Sequence, residues 1–117
     1  MQAEELKKRT KAFGLSIIKL VEALPHSKTS DVLGRQLLRS ATSVGANYRA
    51  ACRARSQADF ASKIGIVEEE ADESAYWLEL VQETELVNDR GISLLLQEAF
   101  ELTAIFAASE KTAKRQK

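Results

Sequence analysis

Cysteine, histidine, proline and tryptophan each occur once in this chain, and each scarcity closes off a class of protein. A lone cysteine, Cys52, excludes an internal disulfide and a cysteine-rich zinc site. It follows Ala50 and Ala51 in a helical pattern, where a small buried thiol is expected and a nucleophile is not. The lone histidine, His26, stands directly after Pro25 in a loop, and no Glu-x-x-His pair of the kind used by di-metal bundles occurs. No metal and no cofactor are therefore expected. Five glycines in 117 residues argue against a turn-rich β fold, and none of them forms a phosphate-cradling loop. No nucleophile elbow and no Cys–His pair appear. The acids Glu68, Glu69 and Glu70 are consecutive, so they fan around a helix instead of converging on a substrate. An enzyme is not expected, and no residue is assigned a catalytic role. No apolar run approaches the roughly 20 residues that span a bilayer, so no membrane partner is expected. The N-terminal stretch MQAEELKKRTKAFG lacks the apolar region of a secretory signal, which makes a cytoplasmic location the expectation.

What the chain does have is helical periodicity, and its length suits one domain with a single core, residues 1–117. Leu6, Phe13, Ile17, Leu20 and Leu24 recur at the spacing of one helical face, predicting a helix over about 3–24 that ends before Pro25. Leu33, Leu37, Ala41, Val44, Tyr48 and Ala51 form the inward stripe of a second helix, about 31–53, with Ser30 or Asp31 as its cap. Gly34 and Gly45 within it cost about 1 kcal/mol each against alanine, which close packing or a local bend should offset. Ser56-Gln57-Ala58-Asp59 has capping-box spacing and opens a third helix, about 56–86, whose core face is Phe60, Ile64, Val67, Ala71, Ala75 and Leu78. Asn88-Asp89-Arg90-Gly91 signals a turn. A fourth helix follows over about 92–111, with Leu95, Ala99, Leu102, Ile105 and Phe106 inward, and the tail AKRQK is expected to fray. Four amphipathic helices with short connections define an all-α, up-and-down antiparallel four-helix bundle.

Charge is sorted along this frame although the formal net charge is zero. The stretch from Gly34 to Arg55 holds five arginines and no acid, whereas Ile64 to Asp89 holds nine acids and no Lys or Arg. At 100° per residue Arg35, Arg39, Arg49 and Arg53 fall within roughly 80° of one another on the second helix, with Gln36, Ser40, Ser43 and Asn47 as a polar flank. Guanidinium forks bind phosphate or carboxylate in pairs of hydrogen bonds. The candidate nucleic-acid contacts are thus Arg35, Arg39, Asn47, Arg49 and Arg53. The competing reading is a solvated face, or ion pairs with the acidic third helix of the same or a neighbouring subunit. No aromatic residues interleave the arginines, so phosphate and shape contacts would dominate over base readout. Ile66, Trp77 and Leu80 form a second apolar strip on the third helix, roughly 100–160° from its core face. They either widen the core stripe or, as tryptophan's enrichment in hot spots favours, mark a self-association interface.

The blocks ELKKRTKAFGLSIIKLVEALP and GRQLLRSATSVGANYRAACRARSQADFASKIGIVEEEADESAYWLEL resemble the four-helix-bundle proteins encoded in intervening sequences of bacterial 23S ribosomal RNA genes. The same fold group includes the accessory variability determinant of diversity-generating retroelements. The resemblance covers about Glu5 to Leu80, with QLLRSATSVGANYRAACRA, SQADF and YWLEL as its most specific parts. It implies a left-handed bundle that assembles as a ring-like homo-pentamer. It also implies a role beside structured RNA or DNA, or beside a reverse transcriptase, through a basic surface. Polar positions that match the family pattern are Arg39, Ser40, Ser43, Asn47, Arg49, Arg53, Ser56, Asp59, Lys63 and Glu70, together with Trp77. The chain departs from the basic character of the retroelement proteins in its neutral formal charge.

Overall fold

The computed structural model describes residues 2–88 and 90–115. Four helices follow in order, α1 over Ala3–Glu22, α2 over Lys28–Ala51, α3 over Gln57–Glu83 and α4 over Gly91–Arg115. They form an up-and-down bundle about 48 Å long and 20 Å across. Each helix packs along its sequence neighbour, while α1 touches α4 over a short stretch only. The core lies where the four apolar stripes meet. Ile17 of α1, Leu37 and Val44 of α2, Ile64, Val67, Leu78 and Val81 of α3, and Leu102 and Phe106 of α4 are fully enclosed. Tyr48 packs at a tilt against Phe106, 5.2 Å between ring centroids, and burial pushes its phenol pKa upward, with Cys52 as its hydrogen-bonding neighbour. Cys52 itself is half-buried, packed on the edge of the core.

The helix ends correct the sequence reading in several places. The cap of α2 is Ser27, in extended geometry, whose hydroxyl accepts from the Ser30 N–H at 3.0 Å. Ser30 and Asp31 thus lie inside the first turn, where Asp31 offsets the helix dipole. At the other end α2 closes at Ala51 with Cys52 as its cap, so Arg53 falls in the turn beyond the helix. The capping box at α3 forms as expected in its first half. The Ser56 hydroxyl accepts from Asp59 N–H at 3.0 Å, while the Asp59 carboxylate reaches back to the N–H of Arg55. That helix ends at Glu83, short of the expected 86, because Glu85 takes a left-handed conformation, φ 55°. Asp89 of the expected turn lies outside the described residues. α4 continues to Arg115, so the first three residues of the tail expected to fray are helical; Gln116 and Lys117 lie outside the described residues.

Leu95, Ile105 and Phe60 are only partly buried, and the core instead takes in Ala61, Ser74, Val81, Ile92 and Ala113. Close packing explains the glycine at Gly34, where an added Cβ would lie 3.1 Å from Val21 Cγ1. At Gly45 the same atom would meet Thr10 at an ordinary 3.5 Å. Among the described residues α4 is long and apolar enough, by length and composition, to cross a membrane. Here α4 turns Ile92, Ala99, Leu102 and Phe106 into the bundle.

The left-handed Glu85 supplies a stability test. Glycine occupies such a site without the Cβ penalty of about 1 kcal/mol, and Glu85 is exposed. Glu85→Gly is expected to raise unfolding free energy by about 0.5–1 kcal/mol, read as a higher urea midpoint at unchanged slope.

Candidate binding surface on the second helix

The arginines of α2 do not form one surface. Ten residues separate Arg39 from Arg49, which turns the second about 80° from the first on the helix. Arg39 faces α3. One nitrogen of its guanidinium donates to Glu70 at 3.2 Å and the other to Glu73. The Glu73 carboxylate also accepts the indole N–H of Trp77 at 2.9 Å, and these donors, Trp77 before Arg39, hold its pKa below the ordinary glutamate value. Beneath this group Ser40 and Ser74 are both fully buried, their hydroxyls 3.1 Å apart, and each also reaches a carbonyl of its own helix. A polar seam thus ties α2 to α3. Among the described residues, the intrachain ion pair expected of the arginine row is realised at Arg39 alone.

Arg49 turns the other way, toward α1. It lines an open trough of about 450 Å³ between α1 and α2, together with Lys7 and Lys11, over a floor that includes Gly14, Gly45 and Ala46. Arg35 and Arg53 are solvent-accessible, the first in the third turn of α2 and the second in the turn beyond it. Among the described residues no carboxylate pairs with Arg35, Arg49 or Arg53. Asn47 is half-buried and donates one amide hydrogen to the Ser43 carbonyl at 2.8 Å. The five candidate residues therefore divide into a seam residue, Arg39, a half-buried flank, Asn47, and three accessible cations. Lys7 and Lys11 were missed because α1 reads as an ordinary solvated helix. Only the register of α1 against α2 places them beside Arg49.

Ile66, Trp77 and Leu80 also divide. Ile66 is 43% exposed, while Trp77 and Leu80 pack partly against the chain's own core. Two exposed aromatic residues escaped the sequence reading, Tyr76 at 53% and Phe100 at 49%. Tyr76 meets Trp77 edge-on at 5.1 Å.

Several other charges hold the bundle together. Arg9 of α1 grips Glu98 with two hydrogen bonds of 2.7 Å and Glu101 with one of 2.8 Å, bridging α1 to α4. Lys63 pairs with Asp59 at 2.6 Å. Glu68 turns toward α4, where burial and a hydrogen bond with Glu110 raise its pKa. Among the described residues no group of three or more His, Cys, Asp or Glu is placed to hold a metal ion.

Fold and surface together define a small helical bundle with its polar chemistry on outer faces and seams. The family model of the 23S rRNA-intervening sequence proteins matches residues 3–108, and the chain belongs to that family. Among solved structures it is similar to a protein of unknown function from the S23 ribosomal protein family of Bacteroides thetaiotaomicron. The two are 33% identical with a TM-score of 0.85, over 95% of this chain and 99% of that one. No curated protein matches the chain.

The Arg39 seam carries a pH dependence. Glu73 has a depressed folded pKa, so its contribution is complete above the unfolded value of about 4.3 and is lost as pH falls through the folded one. Glu68, with its raised pKa, acts with the opposite sign and disfavours the folded state as pH rises through the folded value. Thermal unfolding followed from pH 7 to 3 should show the midpoint falling in the acid range. Glu73→Gln should lower the midpoint at pH 7 and flatten that fall.

Proposed function

We propose that the chain is a non-catalytic binding protein of its family, in which Arg35, Arg49 and Arg53 contact the phosphates of a structured nucleic acid. One observation carries this reading. In a chain with equal numbers of acids and bases, Arg9, Arg39 and Lys63 are matched to carboxylates while these three arginines stand accessible and unmatched among the described residues. A field set by such unmatched charge acts within about 8–10 Å whatever the net charge. The family's description, 23S rRNA-intervening sequence protein, makes structured RNA the first ligand to try. A cytoplasmic location belongs to the same reading.

A second reading has the bundle as an assembly module: a homo-oligomer, pentameric by family resemblance, or an accessory docked on a protein such as a reverse transcriptase. The exposed Ile66 and Tyr76 beside the half-buried Trp77 on the acidic α3 favour it. Unmatched arginines of one copy would then meet the carboxylates of the next.

Binding of an RNA duplex, measured across salt concentrations, separates the readings. Each phosphate that an arginine neutralises adds about 0.9 to the log–log salt slope for a B-form duplex, and a similar amount is expected for RNA. Arg35→Ala with Arg49→Ala should therefore reduce the slope by about two units, while Arg39→Ala leaves the slope unchanged and lowers thermal stability. An unchanged slope in the double variant, with sedimentation shifted to smaller species, would favour the assembly reading.

A further inference from the structure

The trough between α1 and α2 has features that phosphate binding does not use. Its floor includes Gly14, Gly45 and Ala46, small residues over which α1 and α2 come close together, a Cβ at Gly45 falling 3.5 Å from Thr10. Leu15 and Ile18 border it, and they are 53% and 38% exposed. Two large aliphatic side chains beside an open trough give a ligand's apolar surface something to bury against. A nucleic-acid backbone offers no such surface. The rim carries Lys7, Lys11 and Arg49, and no acid lines it. Glu4 approaches only from outside the trough, paired with Lys7 at 3.2 Å. Lys11 and Arg49 have no ion-pair partner among the described residues.

The hydroxyls at the trough are already committed, since Thr10 donates to the Leu6 carbonyl at 2.8 Å and Thr42 to the Leu38 carbonyl at 2.6 Å. What remains is apolar contact and positive charge. Along α1 the lining runs from Lys7 to Ile18, about 16 Å at 1.5 Å per residue, the length of three helical turns. An occupant must match an apolar strip of that length flanked by negative charge.

We propose that this trough receives an acidic amphipathic helix of a partner protein, its leucine-type residues packed over Gly14, Gly45 and Ala46 against Leu15 and Ile18, and its carboxylates paired with Lys11 and Arg49. A helix laid in a groove reads its partner through apolar anchors at i, i+3, i+4 and i+7, and the cationic rim selects against a basic helix. The proposal goes beyond the nucleic-acid reading and shares only Arg49 with it. Arg35 and Arg53 do not line the trough.

The test uses the full chain and a fluorescein-labelled synthetic helix with leucines at i, i+3, i+4 and i+7 flanked by glutamates. The same peptide with lysines in place of the glutamates is the control. Fluorescence anisotropy should show saturable binding of the acidic peptide and at least about tenfold weaker binding of the basic one. Leu15→Ala and Ala46→Glu change exposed positions. Each should weaken the acidic peptide about tenfold while circular dichroism stays unchanged, and Arg35→Ala with Arg53→Ala should leave it bound. Equal binding of the two peptides, or full binding by both trough variants, would overturn the proposal. So would conversion of an oligomer to monomers by Leu15→Ala, which assigns the trough to a second copy. Loss of RNA binding in both trough variants, with peptide binding intact, would assign it to nucleic acid. Failure of the RNA titration by itself leaves the peptide result standing, so the two readings fall separately.

Discussion

The rotation of α2 about its own axis governs most of what this surface can do. Its stripe of Leu33, Leu37, Ala41, Val44 and Tyr48 is buried, and that burial fixes which way every polar side chain on the helix must leave. With the stripe turned inward, position 39 emerges on the α3 side and position 49 on the α1 side. The acidic helix then captures one arginine, and the α1–α2 trough receives the other. The apolar contribution of the stripe, on the order of 1.5–3 kcal/mol for each large side chain enclosed, far exceeds that of any exposed ion pair, typically below about 1 kcal/mol. Packing therefore decides the rotation, and the charges adapt to it.

The same ordering of energies explains how the bundle closes. α1 packs along α2 and meets α4 only briefly, so little apolar area holds that seam. Arg9 fills the role instead, gripping Glu98 and Glu101 from a position only 24% exposed at the side chain. Partial burial and paired hydrogen bonds make such a guanidinium–carboxylate contact stronger than an ordinary surface pair. Opposite it, the α2–α3 seam is tied twice, by the buried Ser40–Ser74 pair and by Arg39 above it. Glu70 and Glu73 of α3 and Glu98 and Glu101 of α4 are thus engaged at the chain's own seams, and among the described residues Arg35, Arg49 and Arg53 pair with none of them.

Much of the fold was legible because helical periodicity is local. Four α1 core positions, Leu24 just beyond that helix and the six of α2 were all read correctly from spacing, since each stripe has one face and few interruptions. The third helix was harder. Tyr76 and Trp77 are adjacent, and whether either is covered depends on how close α2 and α4 lie, which no spacing within α3 encodes. The helix ends failed for a related reason. Ser27, Ser30 and Asp31 are all competent caps, and choosing among them requires knowing how far Pro25 carries the chain before it can turn. The arginine row was legible as a row, but its division was not, because a helix read alone has no neighbours to distinguish its two flanks.

A neutral chain can still present a local positive surface, provided that its acids are held elsewhere. Here Glu70 and Glu73 are drawn to Arg39, Glu98 and Glu101 to Arg9, and Asp59 to Lys63. Each of these groups has much of its charge offset beyond its own contact distance, so the field outside the bundle is set largely by the residues left over. At the α1–α2 trough those are Lys11 and Arg49, with Lys7 paired to Glu4. On the outer face of α3, Glu69 and Asp72 remain exposed. The trough is thus locally positive within about one Debye length, roughly 8–10 Å, although the formal net charge is zero. Zero net charge therefore does not by itself exclude a positive surface, because pairing at the seams and position on the fold decide where charge is presented.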